Sequence, residues 1–180
     1  MAKDIYQLGD VAAILGIEKS RVKNWTIGRP FSLRPSLRSS YGKGSRNLFS
    51  RNDVNRFALV ERLRDVGAPV VAIQELIEKL SPELAKDSVW KMTEGKHHWA
   101  VISREEPTLI PYNVYLAVSF PDILPRQEHA FSSLCSTLCF YAVNLSEIAN
   151  SVATRVSSLS HGTKNDKRQN VRAKRVRTRK

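Results

Sequence analysis

Five side chains that can contact nucleic acid lie close together between Glu18 and Trp25. Arg and Lys donate hydrogen bonds to guanine or to phosphate, and Asn can bridge the edge of adenine. Val22 and Trp25 are three residues apart, as on the buried side of a helix, so we expect the polar side chains to point largely outward. An ordinary helix with a solvated basic surface has the same pattern. These side chains are Lys19, Ser20, Arg21, Lys23 and Asn24.

A second short helix is predicted before this one. Leu8, Val11, Ala12 and Leu15 recur at intervals of three and four residues and fall on one helix face. Gly16 follows, and a glycine can adopt the left-handed conformation that ends a helix. The two segments therefore predict a helix-turn-helix, in which the second helix is the one offered to the major groove of DNA.

The segment after this pair predicts a two-stranded hairpin. Two prolines disfavour helix over residues 28–40, and the run Tyr41-Gly42-Lys43-Gly44 is a turn signal before a short strand at residues 46–49. Four cations lie on or beside this hairpin and could reach a DNA backbone or a minor groove. A surface hairpin with incidental arginines is the alternative interpretation. The cations are Arg34, Arg38, Lys43 and Arg46.

Two longer helices are predicted next. Ser50 and Asp53 precede an apolar run, so one helix should start near Ser50 or Asn52 and continue to Asp65, before Gly67 ends it. Pro69 occupies a position that the first turn of a helix tolerates. The stripe of the following helix is formed by Val70, Ile73, Ile77 and Leu80.

Four segments in this order carry a family resemblance. They are IYQLGDVA with LGI at residues 5–17, RNLFSRNDV at 46–54, ERLRDVG at 61–67 and IQELI at 73–77. Together they resemble the MerR-type winged helix-turn-helix DNA-binding family over about residues 5–80. The chain departs from the family pattern at Asn24-Trp25-Thr26, where members commonly have two aromatics and an acid. It also has Pro69 in place of the usual Ser or Thr, and a longer hairpin loop.

The resemblance implies that the second helix reads the major groove and that the wing contacts the flanking backbone. It transfers these roles to Lys19, Ser20, Arg21, Lys23, Arg38, Lys43 and Arg46. With the chemistry of the neighbouring side chains included, the predicted DNA-binding residues are Lys19, Ser20, Arg21, Lys23, Asn24, Arg38, Tyr41, Lys43 and Arg46.

The net charge of +12 is unevenly distributed. Lys and Arg outnumber Asp and Glu by 14 to 8 in residues 1–80 and by 9 to 1 in residues 161–180, whereas acids prevail by 8 to 6 in residues 81–160. A polyanionic partner at both ends is expected, and double-stranded DNA fits better than a membrane, since no stretch is long or apolar enough to span a bilayer. No apolar core follows the first charges, so a cytoplasmic location is expected. The basic tail is predicted to be disordered.

The region after residue 80 changes to an extended pattern. Runs rich in Val, Ile, Tyr and Phe predict strands at residues 98–102, 114–120 and 138–143, while residues 128–136 are ambiguous between helix and strand. A helix should follow, with Asn144 and Glu147 at capping-box spacing. This helix must bury its apolar stripe either against the sheet or against a second copy of the chain. The sequence therefore leaves open whether the protein forms a homodimer. The stripe comprises Leu145, Ile148, Ala149, Val152, Ala153, Val156 and Leu159.

Metal binding and catalysis find little support in the same region. His97, His98, Cys135 and Cys139 could supply four ligands, but adjacent histidines in a strand point to opposite faces. We expect free thiols and no metal or cofactor. Neither a Gly-rich phosphate loop nor a nucleophile motif is present, so an enzyme is not expected. Core packing is preferred over a ligand pocket for Trp90, Trp99, Tyr112 and Tyr115.

The expected fold class is α+β. It comprises a winged helix-turn-helix domain at residues 1–80, a small α/β sensor or dimerisation region at 81–160 with short strands and a closing amphipathic helix, and a basic tail at 161–180. The expected function is sequence-specific transcriptional regulation. The alternative is an architectural or adaptor protein that anchors to DNA and recruits a protein partner through its C-terminal region. The effector, the operator and the sign of regulation do not follow from the sequence.

Overall fold

The computed structural model describes residues 5–38, 46–92, 96–104, 112–118 and 139–159. Helices and strands within these ranges give an α+β fold, which confirms the predicted class. The elements in chain order are α1 (Leu8–Leu15), α2 (Lys19–Thr26), α3 (Arg51–Asp65), α4 (Val70–Leu84), a 3-10 turn (Asp87–Trp90), β1 (Trp99–Arg104), β2 (Asn113–Ala117), β3 (Cys139–Asn144) and α5 (residues 145–159).

The turn between α1 and α2 depends on Gly16, which has a positive φ of 69°. The chain reverses there, and the Ile17 N–H donates a hydrogen bond to the Ala12 carbonyl at 3.1 Å. Val11, Ala12 and Leu15 are buried as predicted, whereas Leu8 is only half-buried. The predicted helix-turn-helix is therefore present, and this turn holds the N-terminal end of α2.

An aromatic cluster fixes α2 against α3. The Trp25 ring stacks on Phe57 with centroids 6.1 Å apart and meets the edge of Phe31 at 5.5 Å. Phe49 packs edge-on against Phe57 at 5.7 Å. These rings are almost fully buried. Their close packing fixes the orientation of α2, because such a short helix has little stability of its own.

The start of α3 is built around the Asp53 carboxylate, which is 2% exposed. Its Oδ2 atom accepts hydrogen bonds from the Ser50 N–H at 2.8 Å, from the Ser36 N–H at 2.9 Å and from the Ser36 hydroxyl at 2.7 Å. Its Oδ1 atom lies 3.8 Å from the Arg56 guanidinium. Burial lowers the pKa of Arg56 and the Asp53 carboxylate opposes that shift. One carboxylate thus caps α3 and also holds the strand that leads into the hairpin.

Most of the apolar stripe predicted for α4 is confirmed. Ile73, Ile77 and Leu80 are buried, but Val70 is 44% exposed, so the prediction was wrong there. The buried position at this end is taken by Ala68, which lies in the preceding turn. The helix also continues through Pro82 to Leu84, beyond the change in composition at residue 80.

The three strands form one antiparallel sheet in the order β2-β1-β3. Each strand overlaps a predicted one. The register pairs Val101 with Tyr115 on one side and with Ala142 on the other. Phe120, Leu138 and the ambiguous residues 128–136 lie outside the described residues.

Helix α5 closes the fold. Its first turn is capped as predicted, because the Asn144 Oδ1 atom accepts the Glu147 N–H at 3.2 Å. Leu145, Ile148 and Val152 are buried in the same core as the N-terminal helices. Ala149, Ala153 and Val156 are half-buried, and Leu159 is 44% exposed, so the stripe loses its burial in the last turn.

One hydrophobic cluster therefore extends from Tyr6 to Val152. The buried part of the α5 stripe is covered by this chain itself, against the sheet and the N-terminal helices. Homodimer formation and the division at residues 80 and 160 stay predictions, and the basic tail lies outside the described residues. No helix in the described ranges is both long and apolar enough to cross a bilayer.

Candidate nucleic-acid interface

The outward face of α2 is polar and basic. Lys19, Ser20, Lys23 and Asn24 are exposed, as predicted, while Val22 and Trp25 point into the core. These four residues share one face because each residue advances by about 100° around an α-helix, so positions three or four apart lie on the same side. The face carries two ammonium groups and one carboxamide, which are groups that can contact phosphates and base edges.

A depression of about 700 Å³ adjoins this face. Its lining includes Lys19, Ser20 and Lys23 of α2, together with Arg46 and Asn47. Its remaining lining comes from the start of α1, namely Gln7, Leu8 and Gly9. Three cations around one concave surface produce a positive potential that attracts a phosphate backbone.

The described parts of the predicted hairpin form isolated β-bridges, so the strand predicted at residues 46–49 is not a regular strand. Arg38 pairs with Leu48, and Tyr6 pairs with Phe49. The Arg46 guanidinium donates a hydrogen bond to Gln7 Oε1 at 3.3 Å, and Arg38 Nε donates one to the Arg46 carbonyl at 3.4 Å. These contacts connect the wing to the start of α1. The predicted tip, with Tyr41 and Lys43, lies outside the described residues.

Arg21 lies differently from the other predicted contact residues. Its guanidinium donates a hydrogen bond to Glu61 Oε1 of α3 at 2.8 Å, and 42% of its side chain is exposed. Arg21 therefore points outward only in part, and its contact with DNA stays a prediction. The reason is its position at the edge of the polar face, from which the long side chain reaches an acid on the neighbouring helix.

The helix-turn-helix is also supported from the C-terminal region. The Arg155 guanidinium of α5 donates to the carbonyls of Ile14 at 3.4 Å and Leu15 at 3.1 Å. These carbonyls lie in the last turn of α1, where backbone acceptors are unpaired and a cation is favourable. The turn that precedes α2 therefore contacts an element more than a hundred residues away in the sequence.

Comparison with known families agrees with this geometry. Residues 6–80 match the family described as MerR HTH family regulatory protein. Residues 6–80 are a MerR-type helix-turn-helix domain. The predicted family is confirmed, and the match supports a DNA-binding transcriptional regulator. No curated protein matches the chain.

Several residues of the MerR-type domain were not singled out from the sequence. Gln7, Gly9 and Asn47 line the depression, and Glu61 holds Arg21. Gln7 could have been found, since it is a polar residue directly before Leu8, the first residue of the predicted α1 stripe. Glu61 had no such signal, because its partner lies 40 residues away in the sequence.

The other candidate chemistry lies beyond the MerR-type domain. Within the described ranges no three residues among His, Cys, Asp and Glu are grouped so that they could hold a metal ion. Cys135 and the side chain of Cys139 lie outside those ranges. Trp90 is buried and donates its Nε1–H to the Leu84 carbonyl at 2.9 Å, which fits the predicted core role.

The other three aromatic residues for which core packing was preferred, Trp99, Tyr112 and Tyr115, are half-buried. Trp99 and Tyr115 pack against Val101 and Ala117 on one face of the sheet, and Arg104 lies over the Tyr112 ring at 5.4 Å.

Proposed function

We propose that this protein is a sequence-specific transcriptional regulator whose α2 helix lies in the major groove of DNA while the wing contacts the adjacent backbone. The proposal depends on one observation, the exposed polar face of α2 beside a depression that also contains Arg46. A phosphate bound in the depression would fix the register of α2, because backbone contacts orient a reader on the duplex.

The residues divide into two proposed roles. Lys23 and Asn24 read base edges from the outward face of α2, and Lys19, Arg38 and Arg46 bind phosphates. Ser20 is a weaker candidate, since its hydroxyl donates to Glu18 Oε2 at 2.9 Å. Lys43 and Tyr41 remain proposed wing contacts. Arg21 can contact a base only after its ion pair with Glu61 breaks.

Two further features follow from this proposal. A homodimer would place two copies of α2 on successive turns of a two-fold symmetric operator, as helix-turn-helix dimers do. A regulator of this kind acts where the DNA is, so we place it in the cytoplasm of a bacterial-type cell.

The proposal is tested by a binding selection on random DNA duplexes with the full chain. We expect enrichment of a defined sequence, and we expect Lys23→Ala to weaken binding to that sequence more than to random DNA. Each good contact to a base edge is worth about 1–3 kcal/mol, so the selective loss should be about fivefold or more. Lys86→Ala is the matched control, since Lys86 is exposed but outside the depression.

Two results would contradict this assignment. Equal loss on all sequences for Lys23→Ala would show that Lys23 contacts only phosphate. Retention and bridging of any duplex, without enrichment of a sequence, would favour the architectural or adaptor alternative.

A further inference from the structure

An exposed isoleucine lies in the middle of the polar face of α2. The Ile27 side chain is 57% exposed, although it directly follows the last residue of this helix. Its N–H donates to the carbonyls of Lys23 and Asn24 at 3.2 Å each, so Ile27 continues the last helical turn. At about 100° per residue, Ile27 is rotated by roughly 40° from Lys23 and by roughly 20° from Ser20 around the helix axis. Ile27 therefore points in the same direction as the side chains proposed to face DNA.

The exposure of Ile27 follows from the way the chain leaves α2. Trp25 and Thr26 occupy the buried positions at this end, and the Thr26 hydroxyl donates to a carbonyl of the preceding turn at 2.8 Å. Gly28 has a positive φ of 89°, after which the chain turns inward and buries Phe31. Ile27 is thus left outside the core, where much of its apolar surface stays in contact with water.

The chemistry of the major groove limits what Ile27 can contact there. Phosphates and base edges offer hydrogen-bond acceptors and donors, which an aliphatic side chain cannot pair. Thymine also presents its C5-methyl group, and apolar side chains pack against that methyl. Ile27 therefore fits a thymine, whereas against another base it would displace water from polar groups without replacing the hydrogen bonds.

The short length of α2 brings this end of the helix within reach of the groove. Its eight residues span about 12 Å along the axis, close to the width of the major groove. Ile27 lies about 6 Å beyond Lys23 along this axis and does not line the depression beside α2. A base contact by Ile27 is thus compatible with a phosphate bound in the depression.

We propose that Ile27 determines part of the sequence preference of this protein by packing against the C5-methyl group of a thymine in the major groove. The inference rests on the proposed function, and it adds a contact made by apolar burial to the hydrogen bonds proposed for Lys23 and Asn24. Burial of one methyl group changes affinity by about fourfold. The contact discriminates thymine from every base that lacks a methyl group at this position.

Deoxyuridine tests the contact, since it pairs as thymidine does but lacks the methyl group. The probe is the duplex enriched by the selection on random DNA, with each thymine replaced in turn by uracil, and the protein is the full chain. We expect at least one exchange to weaken wild-type binding by about fourfold. Ile27→Ala should weaken binding to the unmodified duplex by a similar factor and show no further loss at that position. Val71→Ala, which shortens an exposed aliphatic side chain of α4, is the matched control and should keep the wild-type response.

A second selection, with Ile27→Gln, measures the preference itself. Gln presents an amide in place of the apolar surface, so thymine should no longer be enriched at that position, while the preferences at the other positions stay. This readout separates a base contact from a loss of stability, which would weaken binding to all sequences alike.

The possible failures are distinguishable. If no uracil exchange weakens wild-type binding, or if the same loss persists in Ile27→Ala, the inference is overturned while the proposed function stands. Retention of the thymine preference by Ile27→Gln has the same meaning. If the first selection enriches no sequence, the proposed function fails and the inference fails with it.

Discussion

Replacing Asp53 by Asn should destabilise the protein strongly, although the two side chains have nearly the same shape. The carboxylate is buried and accepts three hydrogen bonds on one oxygen, from Ser50 and twice from Ser36. The Asn carbonyl oxygen can take over these bonds, but without the negative charge. Its amide group would then face Arg56, which loses its closest carboxylate.

The size of the effect follows from these contacts. A hydrogen bond to a charged group contributes about 1.5–3 kcal/mol, against about 0.5–1.5 kcal/mol for a neutral one. Weakening three such bonds by about 1 kcal/mol each predicts a loss of about 3 kcal/mol in the free energy of unfolding. Removal of one partner of a buried ion pair adds to this loss.

Urea unfolding followed by tryptophan fluorescence measures the loss, with Asp10→Asn as the matched control. Asp10 occupies the same third helical position in α1, but it is exposed and its carboxylate accepts a single hydrogen bond, from the Gln7 N–H at 2.7 Å. Both variants change the net charge equally. Equal losses in the two proteins would refute the reasoning, since burial and bond number would then not matter.

Two further predictions concern the core and the tail. Trp25→Ala should cost about 3–5 kcal/mol in the free energy of unfolding, because it empties the ring cluster with Phe31 and Phe57, whereas Ile27→Ala, at a residue 57% exposed, should change it by about 0.5 kcal/mol or less. Chemical denaturation measures both, and similar losses would contradict the assigned role of Trp25. Deleting residues 161–180 removes nine cations, so it should weaken binding to all DNA sequences alike and flatten the dependence of affinity on salt. Fluorescence anisotropy titrations between 50 mM and 200 mM salt measure this slope, and an unchanged slope would exclude the tail from DNA contact.

The local patterns in the sequence predicted the helices well. The apolar spacing before Gly16 and the Ser50 cap of α3 depend on neighbours within one or two turns, so the sequence contains the whole signal. The three strands were also recognisable, because runs of Val, Ile, Tyr and Phe between turns fit a pleated, half-buried surface. Val70 departed from its stripe at the first residue of α4, where it is 44% exposed while Ala68 in the preceding turn is buried.

Contacts between distant residues could not be predicted in the same way. Arg21 was predicted to face DNA, and only the fold shows that Glu61, 40 residues later, engages it. The same holds for Arg155, whose acceptors at the end of α1 are 140 and 141 residues away. Spacing along one helix cannot reveal which side chain of another helix lies opposite. Of the residues that line the depression beside α2, only Lys19, Ser20, Lys23 and Arg46 were predicted from the sequence to contact DNA.

The continuous interior from Tyr6 to Val152 limits how freely the MerR-type domain can be separated from the remainder of the chain. Cutting the protein after α4 would divide one cluster, in which Ile73 and Leu84 are buried together with Ile102 and Val143. Grafting the MerR-type domain onto a different C-terminal region would require new residues to cover that surface. The C-terminal elements thus act as a scaffold for the helix-turn-helix, and any change that strengthens their packing also steadies α2.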